Sequence, residues 1–241
     1  MPEMMVTEAD WRQYMNDYQH IMGISITHRA LRDQVAFLVQ KVDPVSSVLV
    51  LGAGPGLESR TLVDTLPGIH LLGLEALPQA VEAARTLLSD CDRARFVQAD
   101  LNLSTWTRLV TKPLDAAVCV NVYYILKNPQ FIHQVYEVLR PGGRFVMVNQ
   151  ARPDEKAHMA AQMRWLEEEA TVEELETWKT VGPRLERFLD FNRRVAGSDF
   201  NFTDASTLMP LMEAPGFRVL PEYTDDTAYA GTAALVVGEK L

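Results

Sequence analysis

The chain has 241 residues, 47% hydrophobic and 23% charged, which is globular composition and excludes a disordered, collagen-like or disulfide-stapled chain. Its 23 basic and 32 acidic residues leave a net charge of -9, which argues against nucleic acid or an anionic membrane as the main partner. Cys91 and Cys119 have no metal-ligand spacing, the first residues lack a secretory leader, and no apolar run approaches the ~18 residues of a membrane span; free thiols and a cytoplasmic location are expected.

The elements then follow in chain order. Residues 8–22 carry Trp11, Tyr14, Met15, Tyr18 and Met22 at helical spacing. A second helical pattern at 26–41 presents Leu31, Val35, Leu38 and Val39 on one face, and Pro44 ends it. From 45 onward apolar strands alternate with amphipathic helices. Strands are expected at 45–52, 69–75, 94–100, 115–122 and 143–150. Helices are expected near 57–66, 78–89, 104–110 and 128–139. This rhythm predicts a mostly parallel sheet covered on both faces.

After residue 150 the rhythm breaks. Residues 153–195 read as helical, punctuated by Gly182-Pro183. A helix from about Thr203 and two closely spaced strand-like runs, 216–223 and 229–239, complete the chain, the last two as an antiparallel pair. The expected architecture is one domain. It has an N-terminal helical cap (1–43), a core (44–150), a helical insertion or lid (151–202) and a C-terminal helix with the strand pair (203–241).

The most informative stretch is Val48-Leu49-Val50-Leu51-Gly52-Ala53-Gly54-Pro55-Gly56. Glycines between a strand and a helix let backbone approach a ligand closely, beside the helix N-terminus. Glu75 ends the next strand, where an acidic side chain can accept two hydrogen bonds from ribose hydroxyls. The spacing is GxGxG, with Leu57 where the dinucleotide fingerprint has its third glycine, which disfavours a nicotinamide dehydrogenase.

These residues resemble the class I S-adenosylmethionine-dependent methyltransferases, over about 45–150. Gly52, Ala53, Gly54 and Gly56 look like that family's first motif. Glu75, with the adjoining Ala76, sits where the family has its ribose-binding acid. Gln98-Ala99-Asp100-Leu101 looks like the adenine-recognition segment, Asp100 accepting from the exocyclic amine and the Leu101 backbone facing the ring. Leu139-Arg140-Pro141-Gly142-Gly143 resembles the turn before strand five. The resemblance implies a Rossmann-like seven-stranded sheet with an antiparallel last strand, and S-adenosyl-L-methionine as cofactor. Asn121-Val122-Tyr123-Tyr124 resembles the small-molecule branch, so the expected partner is a small-molecule acceptor, with the protein a monomer or homodimer. No acid–Asn arrangement suggests magnesium, and no metal is expected.

Several residues then stand as site candidates. Tyr123 or Tyr124 is expected to face the cleft from the end of a strand, and only one of them under strand alternation. Tyr14 and Tyr18, four apart on one helix face, and His28 belong to the cap expected to close over the donor. Asn149, Gln150 and Arg152 close strand five, and Arg152 is placed to pair with a substrate carboxylate. Met159, Met163, Trp165 and Trp178 offer either a pocket or a packing face. Arg184, Arg187, Arg193 and Arg194 read as a solvated basic cluster. Three reactions remain open: methyl transfer, aminocarboxypropyl chemistry releasing methylthioadenosine, and silent cofactor binding by a partner subunit.

Overall fold

The computed structural model describes residues 7–151, 154–197 and 200–241. Two helices open the chain, α1 (Glu8–Ile24) and α2 (Ile26–Gln40). Thr7 and Asp10 form a reciprocal capping box at the start of α1, and Ser25 caps α2. The core then alternates β1 (Ser47–Leu51), α3 (Leu57–Thr65), β2 (His70–Glu75), α4 (Pro78–Leu87), β3 (Ala94–Gln98), β4 (Leu114–Val120), α5 (Phe131–Val138) and β5 (Leu139–Gln150).

Helices α6 (Glu155–Glu168) and α7 (Val172–Ala196) interrupt the sheet before α8 (Ala205–Glu213), β6 (Phe217–Val219), β7 (Asp225–Thr227) and β8 (Ala233–Lys240). Helix α7 continues without a break across Gly182-Pro183, contrary to the expected punctuation. It starts at a Thr171–Glu174 capping box, ends on Arg193 and Arg194, and lies against α1 along its length.

The strands lie in the order β3-β2-β1-β4-β5-β8-β6, with β7 pairing β8 off this path. β1 to β5 pair in parallel and β8 runs antiparallel to β5, Arg144 opposite Glu239 through Gln150 opposite Ala233. The last strand starts at Ala233, later than expected, because Tyr229 and Ala230 take left-handed backbone angles in a tight turn. β7, three residues long, was not foreseen.

Alternation along β5 sends Phe145 and Met147 to one face of the sheet and Val146 and Val148 to the other. On one face these strands meet α2, α3 and α4 through Val35, Val39, Leu62 and Val81. On the other they meet α5 and α8 through Phe131, Leu208 and Met212, with Trp106 beside them. A separate cluster of Ile21, Met22, Val181 and Phe188 joins α1 to α7 above the sheet. No described helix is long and apolar enough to cross a membrane.

Strand order reverses between β1 and β4. Chains leaving their carboxyl ends diverge and open a crevice there, where open α/β sheets bind ligands. The α1–α7 layer roofs that crevice.

Candidate active site

The floor of the crevice is the turn from β1 to α3. Gly52 has φ +71°, and a Cβ there would stand 2.3 Å from Val122 Cγ2. Backbone N–H groups of Gly52 and Ala53 both donate to the Leu74 carbonyl, at 2.8 and 2.9 Å, which pins the loop to the end of β2. Gly54 has φ +50° and open space where a side chain would project. The loop therefore presents bare backbone to the cavity.

Glu75 stands across from it. One carboxylate oxygen accepts from Gly54 N–H at 3.0 Å and the other from Leu77 N–H at 2.9 Å. Burial raises its pKa above the usual range, while the N–H groups of Leu77, Gly54 and Ala76 work against that rise. Each oxygen keeps a lone pair for a further donor. Asp100 and Leu101 follow β3 on the same wall, with Asp100 accepting from Asn102 N–H at 2.9 Å. Asn121 directly follows β4 with φ +52°, and its Oδ1 is enclosed without a hydrogen-bond partner among the described residues. A backbone strained in this way beside a cavity is typical of functional positions.

These groups border one cavity of about 370 Å³. Its other walls come from the cap and insertion: Tyr14 and Tyr18 of α1, His158 and Met159 of α6, Trp178 and Phe188 of α7. Tyr14 stacks on Phe188 and Phe191, with ring centroids 5.0 and 4.3 Å away. The arginines of α7 do not form a free basic patch. Arg187 binds the buried Asp17 at 2.9 Å, Arg184 approaches Asp17 at 3.7 Å, and Arg194 binds Asp10 at 2.8 Å. They clasp α7 to α1.

Behind Tyr18 lies a buried polar cluster. Arg32 NH1 is 2.7 Å from His28 Nδ1, and an arginine can only donate. Nδ1 is therefore the acceptor, and Nε2 carries the hydrogen. That hydrogen faces Tyr18 Oη at 2.7 Å and Glu58 Oε1 at 3.1 Å. Burial acts to raise the Glu58 carboxyl, but the His28 hydrogen bond and the charge of Arg32 outweigh it and hold the pKa low. Tyr18 has a strongly raised pKa, first from burial and then from the Glu58 charge.

His28 has no exposed surface and does not border the cavity, so Tyr18 and Glu58 present this cluster to a ligand in its place. His158 does reach the cavity, but both ring nitrogens are engaged. Thr232 Oγ1 donates to the Tyr229 carbonyl and so accepts from His158 Nε2, while Thr27 Oγ1 stands at 3.1 Å from Nδ1. Burial lowers the His158 pKa to about 4.

The cavity brings together Gly52, Gly54, Glu75, Ala76, Asp100, Leu101, Asn121, Tyr14, Tyr18 and Tyr124. It does not include Tyr123. Residues Tyr123–Ile125 form a 3-10 turn, so strand alternation does not govern the two tyrosines. Tyr123 turns toward Phe131, 6.0 Å away, and Tyr124 stacks on Phe202 at 5.3 Å.

Asn149 is fully buried and donates to Thr203 Oγ1 at 2.6 Å, tying β5 to the segment before α8. Trp165 packs beneath the Arg29 guanidinium, 5.3 Å from its ring, against α2. Ala53 is buried under the loop, and Gly56 backs onto Ala84. Neither borders the cavity. Arg152 lies outside the described residues. Among the described residues no group of three acidic, histidine or cysteine side chains could hold a metal.

Sequence reasoning missed Glu58, Phe202 and Tyr229. Glu58 had one signal, a carboxylate in the first turn after the glycine loop. Phe202 and Tyr229 lie far along the chain from the motifs and had none.

A family profile described as "Methyltransferase domain" matches residues 48–143. The trans-aconitate 2-methyltransferase of Azoarcus sp. is 26% identical over 143 residues, 59% of this chain and 53% of that protein. The chain thus matches about half the length of that relative. Human N-acetylserotonin methyltransferase, solved with S-adenosylmethionine, superposes with a TM-score of 0.58 at 15% identity, over 100% of this chain and 60% of that one. A chain from the complex of the Haloferax volcanii Trm112 methyltransferase activator with a putative methyltransferase gives 0.57 at 17%, over 96% and 95%. At these identities the two structures speak for the fold.

Proposed function

From the premise that residues 48–143 are a methyltransferase domain of the class I, S-adenosylmethionine-dependent type, we propose that this protein transfers a methyl group to a small-molecule acceptor. The observation that carries this reading is the meeting of Gly52, Gly54, Glu75, Asp100 and Leu101 around one cavity with an aromatic roof.

The residues present fit the donor. The open space at Gly54 admits a ligand against bare backbone, and the Glu75 oxygens retain acceptor capacity for a ribose diol. Asp100 borders the cavity and would accept from an exocyclic amine, and Asn121 Oδ1, which has no hydrogen-bond partner among the described residues, would accept from the ammonium end. When bound, S-adenosylmethionine supplies an activated methyl on a sulfonium. The chain's own residues then orient the two reactants and exclude water. Tyr14, Tyr18 and Tyr124 supply aromatic faces that attract a cation such as the sulfonium. The α1–α7 clasp closes the cavity above them.

Product analysis tests the proposal. The protein is incubated with S-adenosylmethionine, with and without a pool of small metabolites, and the products are resolved by mass spectrometry. Acceptor-dependent S-adenosylhomocysteine is expected. Methylthioadenosine formed without acceptor would replace methyl transfer by aminocarboxypropyl chemistry. Tight donor binding with neither product would leave only a binding role.

A further inference from the structure

The side of the cavity lined by α6 and α7 has a distinctive chemistry. Asp154 and Glu155, at the start of α6, border it, with Glu155 Oε2 standing 3.9 Å from Arg193 Nε of α7, and among the described residues no lysine or arginine lines it. The nearby Arg32 is held by His28 and by the Met22 carbonyl at 3.1 Å, and it does not border the cavity. The remaining surface is dominated by rings, among them Trp11, Tyr14, Trp178, Phe188 and Tyr124. A ligand carboxylate placed here would meet negative charge and the negative faces of aromatic rings. A ligand cation would be attracted by both.

A second, independent observation concerns proton removal. A hydroxyl acceptor needs a general base with a free lone pair close at hand. Neither histidine offers one. His28 is enclosed, its Nδ1 taken by Arg32, and His158 has both nitrogens bonded to threonine hydroxyls with its pKa lowered to about 4. An amine needs no such base during the transfer itself.

Resting on the methyltransferase reading, we infer that the acceptor is an apolar, ring-bearing amine without a carboxylate group, its ammonium held beside Glu155 at the aromatic wall. The ammonium first gives one proton to water. The freed nitrogen lone pair then forms a bond to the donor's methyl carbon as the carbon–sulfur bond breaks, its electron pair returning to sulfur. The products are a methylammonium and S-adenosylhomocysteine, so the positive charge passes from sulfur to nitrogen. This selectivity is opposite to that for the tricarboxylate in the name of the Azoarcus relative.

The test uses matched probes that share one ring. Calorimetry on the full chain, saturated with S-adenosylhomocysteine, compares 2-phenylethylamine with 2-phenylethanol and phenylacetate, and tryptamine with indole-3-acetate. The amine of each set is expected to bind at least tenfold more tightly than the acid. It is also expected to be the member methylated by S-adenosylmethionine, with a rate that rises with pH as the ammonium deprotonates. Glu155→Gln should shrink the amine-over-acid ratio severalfold, and S-adenosylhomocysteine affinity on the same samples serves as the folding control.

Equal or tighter binding of the acids overturns the inference. So does methylation of the alcohol, of an acid or of trans-aconitate in place of the amines, or failure of both amines to bind. Absence of S-adenosylhomocysteine binding in the first titration would instead overturn the methyltransferase reading itself.

Discussion

Replacing Gly52 by alanine should damage the site and the fold together, for two separable reasons. The residue holds φ +71°, and a side chain in left-handed backbone costs ~1–2 kcal/mol. The new Cβ would also lie 2.3 Å from Val122 Cγ2 and 2.9 Å from Val122 Cγ1. The loop cannot swing away, because Gly52 and Ala53 both bond the Leu74 carbonyl. Val122 must therefore move, at an overpacking cost of ~1–3 kcal/mol. Removing a glycine from the unfolded chain returns ~0.4–1 kcal/mol.

The net loss is about 2–4 kcal/mol, which in a chain of this size lowers Tm by roughly 5–15 °C. Gly68→Ala separates the two terms. Gly68 has φ +98° but nothing within 4 Å of an added Cβ, so only the backbone cost of about 1 kcal/mol should appear. Urea denaturation of the three proteins, with unchanged m-values, measures both. A Gly52→Ala loss below ~0.5 kcal/mol, or one no larger than that of Gly68→Ala, would refute the close packing of loop and Val122.

Three further outcomes follow from the same geometry. Asp115 accepts from the backbone and hydroxyls of Ser46 and Ser47 and from Arg140, and these bonds outweigh the raising effect of burial and hold its pKa well below the usual range. A depressed carboxylate stabilises the fold above its unfolded pKa, and that contribution is lost as pH falls through the folded value. Asp115→Asn should cost about 2–4 kcal/mol at pH 7 and flatten the acid limb of the stability–pH curve, which an unchanged curve would refute. For donor binding the sign comes from Glu75. Its raised pKa means that its accepting, ionised form is depleted at a higher pH than for an ordinary glutamate, so affinity should begin to fall on acidification at a higher pH than an ordinary glutamate would give. Calorimetry across pH checks this, and Glu75→Gln should abolish the dependence. Asp17→Ala removes the buried partner of Arg187 and should loosen α1, seen as faster amide exchange in α1 with the β1–β5 amides unchanged.

The parallel core was legible because strict alternation of buried strands and amphipathic helices leaves few other arrangements, and because glycines mark a turn that needs positive φ. The meeting of Gly54, Glu75 and Asp100 around one cavity was legible for the same reason: each sits at or just past the end of a strand, and parallel strands bring their carboxyl ends together. What sequence left hidden depends on chain segments far apart. Phe202 and Tyr229 join the cavity only because the segment before α8 is tied to Asn149 of β5 and β8 pairs with β5. Tyr123 and Tyr124 could not be assigned by alternation because the strand stops at Val120 and a 3-10 turn takes over. The α7 arginines looked solvated because their partners, Asp10 and Asp17, lie more than 150 residues earlier in the sequence. His28 looked accessible because helical spacing alone cannot reveal that Arg32 and Glu58 enclose it.

The central claim is that the glycine loop and Glu75 hold S-adenosylmethionine. Calorimetric titration of S-adenosylhomocysteine into the wild-type protein and Glu75→Ala, side by side, tests it most directly. Single-site binding is predicted for the wild type. Removing a charged acceptor of two ribose hydrogen bonds, ~2–4 kcal/mol in all, should weaken that binding by at least about thirtyfold. A wild type that binds no S-adenosylhomocysteine, or a Glu75→Ala variant that binds it as tightly, would contradict the account.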